Sequence, residues 1–299
     1  MAEPPIEQRS LTVRGLRVAL LEAGPRDGPG LLLLHGFPDS AWSWSRQIPV
    51  FAAAGYRVVA PWLRGYPPSE IPPPGAYYDR ATLALDLDEL IQALWGQRAC
   101  DLIAQDWGAA LSYGLLALRP QRVRRAVLLA VPHPATVRAT LKRSPRHVLR
   151  SFHWFLFQLP RLPEWLCARH DYRFLETLWK LWSPQFDDAE HVARIRQAFA
   201  TPGAIEAALA YYRALFDARL ADPALAGLRA RLDDPITVPT LALCGDRDMR
   251  RELLEPQRVH FAGEYAHAVV AGAGHFLHRE QPEAVNRLAL DWLRRPAAA

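Results

Sequence analysis

The chain is nearly without lysine. Of its 36 basic residues only Lys142 and Lys180 are lysines, and the rest are arginines. The arginines are dispersed, with no dense basic tract carrying interleaved aromatics. The formal charge of +5 therefore does not read as a nucleic-acid footprint, and a compositional bias toward arginine accounts for it. Cysteine is scarce as well. Cys100, Cys167 and Cys244 are odd in number and far apart, which excludes a disulfide framework and suits small packing roles in a reducing compartment. No apolar run reaches the length of a membrane span, and the aromatic stretch from Phe152 to Leu162 is broken by Pro160. Met1 to Ser10 is polar and lacks the apolar centre of a signal peptide. The expectation is a cytoplasmic protein with no membrane partner. There are no internal repeats. His275 and His278 lie close together, but no cysteine or carboxylate completes a zinc set, so neither a metal nor an organic cofactor is expected.

What is present is an ordinary globular composition. Half of the 299 residues are hydrophobic and 22% are charged, enough for a sizeable core in one large domain or a core with an insertion. Leu11–Arg14 and Arg17–Leu21 read as short strands around Gly15. Leu31–Leu34 is a wholly apolar run, as in a strand buried on both faces of a parallel sheet. The pattern then predicts a helix from Trp42 to Ala54, a strand over Arg57–Ala60 and a helix from Tyr78 to Leu94. A strand into Asp106, a further helix and a strand over Ala126–Val131 follow. This alternation argues for an α/β fold with a mostly parallel sheet. From Pro134 to Pro235 the rhythm breaks into helical patterns rich in Trp, Tyr, Phe, Leu and Arg. Strands resume at Thr240–Cys244 and Tyr265–Val270, and a helix over Pro282–Arg294 closes the chain.

The most informative stretch is Leu102-Ile103-Ala104-Gln105-Asp106-Trp107-Gly108-Ala109-Ala110. An apolar strand enters a tight turn among small residues and an apolar helix leaves it, which is the form of a nucleophile elbow. The residue lifted by such a turn is commonly serine; here it is Asp106. A serine attacking an alkyl carbon would leave an ether, which water does not cleave. A carboxylate leaves an ester, which water does cleave. Asp106 thus points to displacement at carbon. Ser112 sits inside the following helix and cannot serve as an elbow serine. Asp248 and His275 occupy loops after two later strands, so nucleophile, acid and histidine fall at three strand ends in the order this architecture uses. The His35-Gly36-Phe37-Pro38 loop adds backbone N–H groups. Those of Phe37 and Trp107 form the expected oxyanion hole, with Pro38 shaping the turn through a cis bond.

Together these motifs resemble the α/β-hydrolase superfamily, specifically its epoxide hydrolase branch, over nearly the whole chain. The matching pieces are His35–Pro38, Arg64-Gly65-Tyr66, Gln105–Gly108, Gly245 with Asp248, and Gly274-His275. The resemblance implies a core of residues 1–133 and 236–299 and a helical cap of residues 134–235. It also implies two cap acids that hold the epoxide oxygen. Tyr212, in Ala210-Tyr211-Tyr212-Arg213, takes the second tyrosine position. The first departs from the pattern: His153 stands where tyrosine is usual, and a protonated imidazole there could donate to the oxygen. Trp62 and Pro67 also depart from the family around Arg64-Gly65-Tyr66.

The function this implies is conversion of an epoxide to a vicinal diol. Asp106 forms an alkyl ester, Tyr212 and His153 protonate the ring oxygen, and His275, oriented by Asp248, activates water. The substrate expected is a small apolar epoxide held by Trp154, Phe37 and Trp107, with water as co-substrate and a homodimer left open as the assembly. His153, Trp154 and Tyr212 also resemble the fluoride-holding set of fluoroacetate dehalogenases. Those enzymes grip the substrate carboxylate with arginines where this chain has Trp107 and Ala110, and they place an acid where it has Val131-Pro132-His133. A haloalkane dehalogenase stays as the alternative, with Trp107 and one of Trp154, Trp179 or Trp182 as halide donors. A non-catalytic binding relative is opposed by the intact Asp106–Asp248–His275 set.

Overall fold

The computed structural model describes residues 5–296. Eight strands form one sheet in the order β1-β2-β4-β3-β5-β6-β7-β8. They are β1 (Glu7–Val13), β2 (Leu16–Ala23), β3 (Gly30–Leu34), β4 (Arg57–Pro61), β5 (Cys100–Gln105), β6 (Val123–Leu129), β7 (Thr240–Gly245) and β8 (Tyr265–Val270). β1 and β2 pair antiparallel, as do β2 and β4. All remaining pairs are parallel. Every residue of β3 and β5 is buried, as expected of strands covered by helices on both faces.

The helices α1 (Ile48–Ala53), α2 (Arg80–Trp95) and α3 (Trp107–Leu118) lie between strands of the sheet. The single helix expected over Trp42–Ala54 is instead a 3-10 turn at Ala41–Trp44 followed by α1. Pro49 is the reason: it fits the first turn of a helix but not the interior of a longer one. α2 starts two residues later than its pattern suggests because Asp79 caps it, accepting from the amides of Ala81 and Thr82. β6 ends at Leu129, where Ala130 takes a φ of 68°. α3 lies almost wholly inside the protein. Gly108 permits its approach to the sheet, since a Cβ there would fall 2.4 Å from the Leu34 carbonyl oxygen.

Between β6 and β7 the described chain is helical. It contains α4 (Pro134–Leu141), α5 (Pro145–Arg150), α6 (Phe152–Leu156) and α7 (Leu162–Trp182, interrupted at Arg169–Tyr172). α8 (Ala189–Phe199), α9 (Ala204–Arg213) and the short α10 (Ala226–Arg229) follow. α11 (Leu277–Glu280) and α12 (Pro282–Leu293) come after β8. The aromatic run that is broken in sequence by Pro160 packs Phe157 and His153 inward on α6 and its cap. The three cysteines are free and buried, consistent with packing roles. No helix among the described residues is long and apolar enough to cross a membrane.

Candidate active site

β5 delivers Asp106 to the carboxyl end of the sheet, and the turn into α3 holds it at φ 51° and ψ −117°. A non-glycine residue at such a φ is strained, and strain of this kind persists only where the surroundings enforce it. Here the parallel pairing of β5 and the buried α3 fix both sides of the turn. The loop after β3 meets this turn closely. Phe37 donates its backbone N–H to Asp106 Oδ1 at 2.8 Å across a cis Phe37–Pro38 junction. Gly36 makes the approach possible. A Cβ there would fall 2.4 Å from Asp106 Oδ1 and 2.7 Å from the Trp107 backbone nitrogen. The space between the two N–H groups and the carboxylate exists because this residue has no side chain.

The loops after β7 and β8 complete a chain of charge. His275 Nδ1 lies 2.8 Å from Asp248 Oδ2, and its Nε2 lies 3.3 Å from Asp106 Oδ2. Asp248 is itself held, since its Oδ1 accepts from the Arg250 N–H at 2.7 Å. The His275 backbone is pinned from two sides, by Gln105 Nε2 at 3.3 Å and by the Trp182 carbonyl at 3.1 Å. Burial alone would lower the His275 pKa. The Asp106 and Asp248 carboxylates outweigh that and push it up to about 9. At neutral pH the imidazole is therefore protonated between two carboxylates.

The opposite wall is aromatic. α9 carries two adjacent tyrosines with different fates. Tyr211 donates its hydroxyl to the Arg64 carbonyl at 2.8 Å, so it ties α9 to the loop after β4. Tyr212 faces the site, its ring 5.0 Å from Trp107 and 5.5 Å from Phe37. Burial and the Asp106 charge raise its hydroxyl pKa well above the ordinary tyrosine value, so it remains a proton carrier. His153, on α6, lies 5.9 Å from the Tyr212 ring and 4.9 Å from Trp182. Its Nδ1 is buried without a hydrogen-bond partner.

The protonated imidazole anticipated at His153 is not what the structure holds. Burial lowers its pKa well below the ordinary value, and the positive charges of Arg250 and His275 lower it further. His153 is neutral and can offer a single ring N–H. Trp154 lines a cavity of about 40 Å³ over Asp106 together with Trp107, Ala110, Val131, Tyr212 and Arg80. The Phe37 ring is fully buried against Phe157, Phe199 and Tyr212, so Phe37 serves the site through its backbone. Trp179, an expected halide donor, is committed elsewhere: its indole donates to the Pro38 carbonyl at 2.9 Å.

Three further residues stand near this site, and of these only Trp182 is among the sequence candidates, as a halide donor. Trp182 stands between His153 and His275, and its indole N–H is buried and unpartnered. Arg250 lies over Trp154 and donates to Ser151 Oγ at 3.1 Å. Arg80 lines the cavity. Motif reading missed Arg250 and Arg80: Arg250, two residues after Asp248, could have been suspected from its spacing, whereas Arg80 carries no sequence cue. Among the described residues no cluster of His, Cys, Asp or Glu is arranged to hold a metal ion.

This fold, with an aspartate at a strained elbow and an Asp-paired histidine opposite it, defines an α/β-hydrolase. A family model described as alpha/beta hydrolase fold matches residues 29–282, and the chain belongs to that family. Within it the chain stands with proteins named epoxide hydrolases. It is 30% identical to Epoxide hydrolase 4 of Homo sapiens over 94% of this chain and 76% of that protein. It is 33% identical to the AB hydrolase superfamily protein YfhM of Bacillus subtilis (strain 168), over 95% of this chain and 96% of that one. The crystal structure of Epoxide Hydrolase A from Mycobacterium thermoresistibile superposes with a TM-score of 0.81 at 28% identity, covering 97% of this chain and 98% of that chain.

Proposed function

We propose that the protein hydrolyses epoxides to vicinal diols through a covalent ester on Asp106, beneath a cap formed by residues 134–235. The observation that carries this reading is the setting of one carboxylate. Asp106 Oδ1 is held by the Phe37 N–H and Oδ2 faces His275, while Tyr212 lines the cavity over Asp106 and His153 packs beside it, ring centroids 5.9 Å apart. The resemblance to proteins named epoxide hydrolases supports it.

In the first step an Asp106 oxygen attacks a ring carbon in line, and the C–O electron pair passes to the ring oxygen. Tyr212 donates a proton to that oxygen, and the neutral His153 N–H adds a hydrogen bond. His275 is a cation at this stage because two carboxylates surround it. Alkylation turns Asp106 into a neutral ester and removes one of them. The hold on the imidazole proton weakens; that proton passes by way of the new hydroxyl to the Tyr212 oxygen, restoring the phenol, and His275 becomes a base for water only after the first step is complete. Water then attacks the Asp106 carbonyl carbon. His275 takes a proton from that water while the Phe37 and Trp107 N–H groups hold the oxyanion; the acyl–oxygen bond then breaks, the His275 proton passes to the departing oxygen, and the diol leaves with an oxygen that began in Asp106, whose new carboxylic proton returns to His275.

The test is a single turnover of a styrene-type oxide in ¹⁸O-labelled water. The first diol carries unlabelled oxygen if it comes from Asp106. Label in that first diol would sink the covalent route. One observation favours the dehalogenase alternative: the free indole N–H of Trp182 could join Trp107 in holding a halide. Halide release from chloroalkanes, with no diol formed from any epoxide, would move the assignment there.

A further inference from the structure

The last turn of α7 is pressed against the loop that carries His275. Gly274 allows this, since a Cβ there would fall 2.5 Å from the Trp182 carbonyl oxygen and 2.9 Å from Ser183 Oγ. Three successive amides of the loop then find acceptors. The His275 N–H donates to the Trp182 carbonyl at 3.1 Å, and the Phe276 N–H donates to Ser183 Oγ at 3.2 Å. The Gly274 N–H is shared between the two carboxylate oxygens of Glu280, at 3.0 and 2.9 Å. The Ser183 hydroxyl donates in turn to Glu280 Oε1 at 2.6 Å. Glu280 is the last residue of α11. Its carboxylate thus holds the residue before His275 directly and the residue after it through Ser183.

The two-step reaction asks nothing of Glu280 as an acid, base or nucleophile, but it does ask for an aimed base. His275 must keep Nδ1 on Asp248 and Nε2 over the carbonyl carbon of the Asp106 ester. Its side-chain partners give that aim only while Asp106 is a carboxylate. The 3.3 Å contact from Nε2 to Asp106 Oδ2 ceases to be an ion pair once the ester forms. The 2.8 Å contact with Asp248 fixes one nitrogen and leaves the ring free to swing about it. In the ester state the backbone must carry the aim, and the amides on both sides of His275 are where Glu280 and Ser183 take hold. A displacement of about 1 Å in a reacting group can cost on the order of a hundredfold in rate. The same turn of α7 also reaches the oxyanion loop. The Trp179 ring stacks on Phe276 with centroids 3.4 Å apart, and its indole N–H holds the Pro38 carbonyl beside Phe37.

We propose that Glu280 and Ser183 are positioning residues for His275, and that this pair serves ester hydrolysis and not ring opening. The proposal rests on the two-step epoxide reading and adds to it the groups that aim the base.

The test follows a styrene-type oxide by rapid-quench kinetics and intact-protein mass spectrometry. It reads the ratio of ester hydrolysis to alkylation within each variant, which does not depend on how much of the protein is folded. Glu280→Ala removes the acceptor of both Gly274 and Ser183. It lowers the ratio by about tenfold to a hundredfold, and the alkylated protein accumulates. Ser183→Ala removes a smaller part of the hold and lowers the ratio by about fivefold. Glu280→Gln keeps an acceptor oxygen for both partners and recovers most of the loss. A ratio unmoved in Glu280→Ala and Ser183→Ala, or alkylation slowed as much as hydrolysis, overturns the proposal. If Glu280→Ala does not fold, Ser183→Ala decides by the same criterion.

Proton NMR reads the same aim without turnover. In Asp106→Asn the neutral side chain stands in for the ester, and the low-field resonance of His275 Nδ1–H, assigned by its loss in His275→Gln, is sharp. In Asp106→Asn/Glu280→Ala it broadens into exchange with water, and an unchanged resonance there would equally refute the role of Glu280. A wild-type protein that forms neither alkylated enzyme nor diol from any epoxide would instead count against the epoxide reading, with the NMR comparison still deciding the positioning role.

Discussion

The two walls of the site are built on opposite principles. On the sheet side, the Asp106 and Asp248 oxygens and both His275 ring nitrogens all have protein partners, and the groups come from loops at the ends of paired strands of one sheet. On the helical side, His153 Nδ1 and the Trp182 indole are buried and unpaired within an aromatic cluster. The two histidines show what this difference does. Burial pushes both toward the neutral form. His275 lies between two carboxylates and is pushed up to about 9, whereas His153 faces Arg250 and His275 and falls well below its ordinary value. One residue type is thus a cation on one wall and a neutral donor on the other, with the Trp182 ring between them. The sheet side stores a proton, and the helical side offers hydrogen-bond donors that no protein group has claimed.

Removing the sheet-side base breaks this division most severely. His275→Gln should slow ester hydrolysis by roughly a thousandfold, within the range usual for loss of a general base. Alkylation persists, so intact-protein mass spectrometry should find the enzyme carrying one substrate mass. An unmodified enzyme after long exposure to epoxide would contradict the assignment of the second step to His275.

His153→Phe tests the helical side. Alkylation should slow by about tenfold to a hundredfold while ester hydrolysis changes little, as rapid-quench kinetics would separate. Because His153 is neutral, the pH profile of alkylation between pH 5 and 8 should keep its shape in the variant. A step near pH 6 present in the wild type and absent in His153→Phe would mean that the imidazole is protonated after all.

The smallest effect concerns stability. The folded-state pKa of His275 lies above its unfolded value near 6.5. Its pairing therefore stabilises the fold fully below that pH, and the contribution is lost as pH rises toward 9. His153 works in the opposite direction: its contribution is present above about pH 6.5 and lost as pH falls. His275→Gln should flatten the decline of Tm on the alkaline side, and His153→Phe the decline on the acid side, each by about 2–4 °C. Melting curves from pH 5 to 9 would check both, and equal slopes in all three proteins would remove the contrast between the walls.

Much of the sheet side is legible in the chain. The wholly apolar Leu31–Leu34, the turn at Asp106 and the loops bearing Asp248 and His275 are local patterns, and β-strand register carries them to one edge. The helical side is less legible. Tyr211 and Tyr212 are adjacent and chemically identical, yet one hydroxyl is spent on the Arg64 carbonyl and the other faces Asp106. Helical phase decides between them, and phase depends on what α9 packs against. The helix expected over Trp42–Ala54 failed for a local reason that was visible, the proline at position 49.

By itself the sequence determined the order of the candidate residues: an acid where a serine is usual, then its aspartate and histidine partners, from which the proposed displacement through a cleavable ester follows. Those features depend on residue type and local turn geometry, which neighbours along the chain specify. Only the tertiary structure decided which histidine carries a proton and which tyrosine faces Asp106. These depend on charges and acceptors brought together from distant segments, and electrostatic energies in a buried site are set by distance through space.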